Sequence, residues 1–542
     1  MGHHHVYAGG WAIKDQTQVF YKATRETSEQ FINKKFISIF TNDNIDGYTF
    51  YVHNLGRFYS IFILKSLILN KDFSLNPIWK DNCIISLTIK LNYFKMIILD
   101  SLQLIPGSLD KNLKSFNCDT QKGVSPYSFV NRNNLNYIGL KPPMEFFNNI
   151  TELEYQAIPE NNWDIKKETL SYLKSDNEGL LETLTKFNLN IYNKYNLNVT
   201  KFKTLPSLAL AAYRSSYTPV HLAPKIKMIK GELEREIRSS YFGGNVEVFI
   251  NEVTDAYLYD INSQYSKAML QDMPLGDPVL SLETDLDNIF GFVYVEITCP
   301  DELNLRIPFI QFKYPIGRIT SCPRGKIKRL IFSEEAKYAL KFGYTINVEY
   351  CYQFKRGKLK RLIFSQEIKY AIKFGYSIKV KYCYQFKRGK YLFKDYVIEH
   401  YNIKSSSKDP VQYSIAKLFL NALYGRMGMK PIEDVLKIVN EKEAEILDQT
   451  SNVSILSKLA DDKYLVKYSG QINDSIRKLN LNDPLSKKNK NKNRIYTSSE
   501  LRELGFNKKK YPLLLQYILR QLFPLMQEWL LTIIKIFLET HV

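Results

Sequence analysis

The sequence predicts a mixed α/β fold built as more than one domain. Three observations predict it. The chain has 542 residues, 45% hydrophobic and 24% charged, which is the composition of a folded globular protein. That length suits roughly three to four domain-sized units. Short β-branched and aromatic runs over 31–65 and 84–105 read as strands, with a helix after Phe58, whereas 164–196 and 411–427 have helical spacing. Finally, a unit that reads as helix, glycine and alternating strand occurs twice in tandem.

Taken in chain order, the elements have local causes. The opening MGHHHVYAGGW has neither an apolar run of signal-peptide length nor an Arg-rich amphipathic helix. Its three histidines are few for a tag or a metal tract. Over 164–196, Leu170, Leu173, Leu180, Leu181 and Leu184 fall on one side of a helix. Pro206 and Pro219 punctuate a link. Between Tyr241 and Pro278, strands flank a turn-rich centre. The helix over 411–427 starts at Pro410 with Asp409 as its cap. Residues 484–494, PLSKKNKNKNR, form a basic low-complexity loop. The closing YPLLLQYILRQLFPLMQEWLLTIIKIF reads as a rearranged tail or as an amphipathic helix interrupted by Pro524.

The repeat is explicit. Residues 324–355 recur as 356–387 with 25 identities in 32 positions. Each copy reads as an amphipathic helix, then Gly343 or Gly375 as C-cap, then a strand. Two copies are too few for a solenoid, so a tandem duplication inside a larger domain is expected, with one copy bulging out or displacing the other.

The formal charge of +20 favours an anionic partner, nucleic acid before a membrane surface. Six scattered cysteines without a C-x-x-C pair argue against a disulfide framework or zinc site. No run of 18 apolar residues predicts a transmembrane segment. Lys, Asn, Ile and Tyr are abundant, an association with AT-rich genomes such as organelles or cytoplasmic plasmids.

Two stretches carry chemistry. In YLYDINSQYSKAMLQDMPLGDP, Asp260 ends an apolar strand, and Ser263 and Tyr265 follow on a turn that opens a helix. A strand-end carboxylate beside a helix N-terminus can hold Mg²⁺ against a triphosphate, though such an Asp is more often a cap. In KLFLNALYG, Lys417, Asn421 and Tyr424 share one helix face, which suits phosphates and a stacked base. The plain alternative there is a solvated stripe.

Together and in order, the two stretches resemble family B DNA polymerases. Asp260-Ile-Asn-Ser263-Gln264-Tyr265-Ser266 matches motif A, D-x-x-S-L-Y-P, and Lys417, Asn421, Ala422, Tyr424 and Gly425 match motif B, K-x-x-x-N-S-x-Y-G. Ser240-Tyr241-Phe242-Gly243-Gly244 resembles the Y-x-G-G element of the protein-primed subgroup of viruses and fungal mitochondrial linear plasmids. The resemblance implies that Asp260 binds catalytic Mg²⁺ ions of a two-metal site. Ser263, Asn421 and Gly425 would line the nucleotide site, and Tyr265 would pack on the sugar and reject a 2′-hydroxyl. Lys417, with Lys404 of YNIK, would contact the dNTP triphosphate, and Tyr424 would shape the nascent pair. Tyr241, Gly243 and Gly244 would follow the DNA template. Gln264, Ser266 and Ala422 depart from the pattern.

The N-terminal third resembles the family's RNase H-like 3′–5′ exonuclease-type domain. YVHNLGRFYSIF is similar to its second motif, in which Asn54 and Phe58 contact DNA, but Tyr59 stands where the motif has Asp. Tyr172 and Asp176 match the third motif, Y-x-x-x-D. The first, D-x-E, would fall just before residue 1. A folded DNA-binding remnant without nuclease activity is the expectation. Motif C, Y-x-D-T-D-S, has no match after Gly425, and Asp461-Asp462 reads as a charged turn.

The implied layout is 1–205 exonuclease-like, 206–240 linker, 241–280 palm, and 281–403 a terminal-protein-region-type insertion carrying the repeat. Then come 404–430 fingers, 431–480 palm or second insertion, and 481–542 basic loop and tail. The implied function is protein-primed, template-directed DNA synthesis in a mitochondrion, with DNA template and primer, dNTPs and a terminal protein as partners. The alternative is a truncated remnant that only binds DNA.

Overall fold

The computed structural model describes residues 5–469, except 15, 41–47, 81–82, 127, 148–149, 219–228, 230, 243–251, 253–259, 261, 282, 284, 300–309, 314–319, 322–324, 352–381, 430–433 and 451–452. Gly243, Gly244, Cys322, Gly375, most of the second repeat copy, the 484–494 loop and the tail lie outside the described residues. The chain divides into two compact units. The first holds the described residues through Leu208, Ser407–Ile415 and the described part of Pro431–Lys508; the second holds those of Ala209–Ser406 and Ala416–Lys430.

In the first unit a four-stranded sheet runs Thr49–Val52, Phe94–Asp100, Cys83–Leu91, Phe73–Lys80. The first pair is parallel, with Val52 opposite Asp100, and the rest are antiparallel. Leu75, Leu87, Ile89, Met96 and Ile98 from this sheet form one core with Phe40, Leu55 and Leu67. Residues 31–40, expected as strand, are helical within Ser28–Phe40. Aromatic and β-branched content suggested a strand, but Phe31, Ile32, Phe36, Ile39 and Phe40 recur at helical spacing. The start is a reciprocal cap, because Gln30 N donates to Thr27 Oγ1 (3.1 Å) and Thr27 N to Gln30 Oε1 (3.0 Å). The helix after Phe58 is present as Ser60–Ile68.

The long helix is Ile165–Tyr195, capped by Asp164, whose carboxylate accepts from Lys166 N and Lys167 N, and ended by left-handed Asn196. Its buried line is Ile165, Thr169, Gly179, Thr183, Phe187, Ile191 and Tyr195, not the leucine stripe. Phe187 meets Phe116 edge-on at 5.8 Å, and the helix also packs on strands Ala8–Ile13 and Gln16–Tyr21, so these neighbours decide which face is covered.

Residues expected as palm or second insertion belong instead to this first unit. Asp434–Val439, Lys463–Ser469 and Val453–Ala460 form an antiparallel sheet, and Ile438 packs on the core just described. Lys463 Nζ donates to Asn70 O (2.6 Å) and Leu67 O (3.5 Å), placing a cation at the C-terminal end of Ser60–Ile68. Burial pushes the Lys463 ammonium down, against the pull of Asp462 and Asp72.

The linker span also holds ordered helix, Leu205–Ser216 and Glu232–Ser239. Pro206 lies in the first turn, where its missing N–H costs nothing. Leu208, Ala209, Ala212 and Tyr213 are buried, and Tyr213 donates to Leu392 O (2.8 Å).

The second unit is built on the strands Gly325–Phe332, Gly291–Cys299, Tyr382–Gly389 and Met273–Ser281, in that order, with Thr345–Cys351 also paired to Gly291–Cys299. Met273–Ser281 pairs directly with Tyr382–Gly389, so residues expected as palm and as insertion share one sheet. The first repeat copy opens with a strand, Gly325–Phe332, where a helix was expected to begin; the helix is Ser333–Leu340. Alternation in KIKRLIF outweighs the helical reading there. Gly343 takes φ +91°, a left-handed C-cap, before strand Thr345–Cys351.

The repeat copies share one strand position. Val293 is the register partner of both Cys351 and Cys383, and Tyr294 of both Tyr350 and Tyr382. These are equivalent residues of the two copies. Phe292 then pairs with Tyr384 and Gly291 with Gln385. The helix beside the sheet comes from copy one. Ala336, 0% exposed, is replaced by Ile368 in copy two, which would overpack that site. Glu334 bonds Lys337 (2.8 Å) and Arg388 (3.5 Å), while copy two has Gln366.

Deleting 352–383 joins Cys351 to Tyr384 and keeps the register running from Val293 to Phe292. The expected variant melts cooperatively at or above the temperature of the full chain. Loss of a cooperative calorimetric transition would show that the second copy is integral.

Candidate functional site

Motif A is carried by a short, strained turn. Ser263 is left-handed at φ 54°, a conformation that costs a non-glycine residue about 1–2 kcal/mol, and helix Gln264–Ala268 follows. Ser266, Ala268 and Met269 are buried and anchor it, whereas Asp260 is exposed. The strand expected before Asp260 lies outside the described residues.

Motif B lies on helix Pro410–Met427, begun as expected by Asp409, whose Oδ1 accepts from Val411 N at 2.9 Å. Ala416, Phe419, Leu420, Ala422 and Leu423 are buried. Lys417 and Asn421 are exposed on the opposite side, and Tyr424 is half-buried. Gly425 faces open space: an added Cβ there would meet nothing within 4 Å.

The two motifs meet. The Tyr265 and Tyr424 rings stack at 4.3 Å and 10°. Lys404 Nζ donates to Ser263 Oγ at 2.9 Å, across 141 residues of sequence. Lys404 is placed by helix Lys394–Ser406, which is locked to the motif B helix. Tyr396 donates to Phe419 O (2.8 Å), and buried His400 lies flat on Phe419 (5.5 Å, 13°) while its Nδ1–H donates to Tyr396 O at 2.7 Å. Sequence reasoning passed over this aromatic lock. Its signal was Tyr396 and His400 at i, i+4.

Tyr241 and Phe242 follow the C-cap Ser240 of helix Glu232–Ser239, with Tyr241 N donating to Arg238 O (3.0 Å).

In the exonuclease-like unit, strand Thr49–Val52 delivers His53 and Asn54 to a tightly held loop. His53 Nε2–H donates to Gly107 O (2.9 Å), and Nδ1 accepts from Ser101 Oγ (3.0 Å). Burial pushes its pKa down, which favours the neutral ring in which Nδ1 accepts. Asp100, 2% exposed, accepts from Asn54 N (3.1 Å), Leu102 N (3.0 Å) and Gly56 N (3.0 Å). Gly56 is required here because a Cβ would meet Ile84 O at 2.7 Å. The chain continues as a π-helical turn, Leu55–Tyr59, which leaves Phe58 43% and Tyr59 46% exposed. Asp100 was not anticipated; its only local signal is an apolar strand ending in Asp.

Burial raises the carboxyl pKa of Asp176, against the Tyr172 hydrogen bond and the charges of Lys122 and His53. The Tyr59 hydroxyl is likewise raised by burial and then by Asp176. Tyr59 therefore stands within electrostatic reach of Asp176, a phenol where the motif has a second carboxylate. Mg²⁺-dependent 3′–5′ degradation of single-stranded DNA is expected to be absent. Degradation that disappears on Asp176→Ala would contradict this.

No three Asp, Glu, His or Cys groups converge among the described residues. Asp260 by itself supplies too few donors for two metal ions. Asp461 and Asp462 occupy the turn between Val453–Ala460 and Lys463–Ser469. Asp461 pairs loosely with Lys71 (3.7 Å), and Asp462 accepts from Glu441 N (3.2 Å). They form a charged turn, as expected. Among the described residues no helix is long and apolar enough to cross a membrane.

The sequence model of DNA polymerase type B, organellar and viral, matches residues 39–359 and 356–504. A probable DNA polymerase of Agaricus bitorquis is 36% identical over 501 residues, covering 88% of this chain and 59% of its own length. One of Ascobolus immersus is 32% identical, covering 81% and 35%. The chain thus spans about three-fifths or less of these relatives. Among solved structures, phi29 DNA polymerase in complex with primer-template DNA and incoming nucleotide matches with TM-score 0.53 at 16% identity, covering 95% of this chain and 74% of that one. That likeness is one of fold: an exonuclease domain followed by palm and fingers.

Proposed function

Because the chain belongs to the organellar and viral type B DNA polymerases, we propose that it takes part in protein-primed, template-directed DNA synthesis. The observation that carries this reading is the meeting of motif A with the fingers: Tyr265 stacked on Tyr424, and Lys404 bonded to Ser263. In that reaction a primer 3′-hydroxyl attacks the α-phosphorus of a dNTP, the P–O bond to the β-phosphate breaks, and pyrophosphate leaves. Lys404 and Lys417 bind the triphosphate, with Ser263 and Asn421 beside them. Tyr265 sits under the sugar, where a 2′-hydroxyl would clash, and Tyr424 closes the pair pocket. Open space at Gly425 admits close approach of the substrate.

Polymerases of this family use divalent ions, and Mg²⁺ with Asp260 as a ligand is our assignment. Tyr241 with Gly243 and Gly244 follows the template, since glycines let backbone approach phosphate. Asn54 and Phe58 hold single-stranded DNA beside the exonuclease remnant of Tyr172 and Asp176. The Y-x-G-G element supports a terminal protein as primer. Composition supports a mitochondrial or linear-plasmid genome, with the protein acting in the mitochondrion.

Binding of a labelled primed template tests the reading without requiring turnover. Anisotropy titrations are expected to show tightening by the template-matched dNTP and none by mismatched dNTPs. Equal effects of matched and mismatched nucleotides would refute it and favour a chain that only binds DNA.

A further inference from the structure

The turn that joins strands Cys83–Leu91 and Phe94–Asp100 has no part in the sites so far described. Leu91 pairs with Phe94, so the loop is the two residues Asn92 and Tyr93. Asn92 takes φ 53°, the left-handed conformation that closes so tight a turn. Its neighbour in such loops is most often glycine. Here it is Tyr93, which stands clear of the fold at 101% exposure.

The next pair in the ladder is Lys90 opposite Lys95, both exposed. Like charges directly across a strand pair repel and weaken the hairpin. An anion between them removes that repulsion. The same face carries short polar side chains: Ser74, the partner of Lys90, and Asn76 are exposed, and Thr88, the partner of Asn76, is half-buried. Leu75, Ile89 and Met96 alternate to the other face and enter the core.

One exposed tyrosine needs no explanation. A repelling lysine pair beside an aromatic residue that gains nothing by packing is a combination that stability disfavours and single-stranded DNA fits. Ammonium groups take phosphates, and a free ring offers its face to an unstacked base. The place is distinct from that of Asn54 and Phe58. Asp100, which holds Asn54 and Gly56, ends strand Phe94–Asp100, whereas Tyr93 precedes its start. Seven residues at about 3.4 Å each set the two places roughly 20 Å apart.

We propose that this hairpin is a second single-stranded DNA contact of the first unit, with Lys90 and Lys95 on phosphates and Tyr93 stacked on a base. The inference rests on the reading that the substrate is DNA.

The test uses the full chain and a labelled oligo(dT) carrying one 5-bromodeoxyuridine. After irradiation, peptide mapping is expected to place a crosslink at Tyr93. Tyr93→Ala should bind about tenfold more weakly, the order of one lost base stack, and Tyr93→Trp as the parent does. Lys90→Gln with Lys95→Gln should flatten the slope of log affinity against log salt by about 1.4, since each single-strand phosphate contact contributes about 0.7. Lys34→Gln, at an exposed position of helix Ser28–Phe40, controls for bulk charge and should leave the slope unchanged. A crosslink map without the hairpin overturns the proposal, as does a Tyr93→Ala variant that binds like the parent. A loss in Lys34→Gln equal to that at either hairpin lysine also overturns it, because binding would then follow bulk charge alone. If the hairpin crosslinks and Tyr93→Ala weakens binding, but matched dNTP does not tighten binding of primed template, the hairpin contact stands and the polymerase reading fails. The crosslink is read on the parent chain, so it decides even where a substitution upsets the fold.

Discussion

Primer extension by this chain alone is expected to be slight even where a matched dNTP binds. Asp260 is the palm carboxylate that fits its motif, and no group of three or more Asp, Glu, His or Cys side chains that could hold a metal lies among the described residues. Phosphoryl transfer of this type shares metal charge between at least two carboxylates, which hold the ions about 3.5–4 Å apart. Losing one leaves nucleotide binding through Lys404, Lys417 and the Tyr265–Tyr424 stack. It removes several kcal/mol of barrier lowering, about three powers of ten in rate at roughly 1.4 kcal/mol per tenfold. The measurement is single-turnover extension of a labelled primer with Mg²⁺ and dNTPs. Robust extension abolished by Asp260→Asn would reverse this expectation. A second carboxylate, with Asp461 or Asp462 first in line, would then complete the site.

Asp100→Ala is expected to cost the first unit about 4 kcal/mol. Hydrogen bonds to a charged acceptor are worth about 1.5–3 kcal/mol each, and stranded buried donors cost a similar amount. Three backbone N–H groups depend on this carboxylate, from Asn54, Gly56 and Leu102. Water that reaches the vacated space recovers part of the loss, which keeps the figure below the sum of the three. Asp100→Asn retains an acceptor and should lose about half as much. Chemical denaturation followed by hydrogen exchange across 53–59 reads the effect locally. The loop that presents Phe58 and Tyr59 should open first. An unchanged midpoint and unchanged exchange in Asp100→Ala would show that the loop is held by its own turn instead.

Much of the helical framework was legible because its causes are local. Asp164 and Asp409 are caps that act within three residues of themselves, and Gly343 ends its helix through its own φ. The helices Ile165–Tyr195 and Pro410–Met427 therefore fall where spacing placed them. Residues 31–40 misled because aromatic and β-branched content resembles a strand, while the decisive 3.6-residue stripe is short. The leucines of the long helix misled for a different reason: which stripe is buried depends on what packs against it, here Phe116 and the strands Ala8–Ile13 and Gln16–Tyr21. The Gly325–Phe332 strand was mistaken for the start of a helix because a seven-residue run fits both periods.

By itself, the sequence determined the family, through two motifs whose residue types and order are informative without coordinates. It also determined the repeat and the side of the fingers helix that carries Lys417, Asn421 and Tyr424. Only the tertiary structure decided that Tyr265 and Tyr424 stack, that Lys404 reaches Ser263, and that Asp100 holds the His53–Tyr59 loop. It also decided that the two repeat copies share one strand position against Val293, and that 434–469 packs with the exonuclease-like core. The physical reason is range. Caps, periodicity and turn preferences act over about four residues and can be read from neighbours in the chain. These contacts join residues tens to hundreds of positions apart, and packing selects them among many locally equivalent pairings.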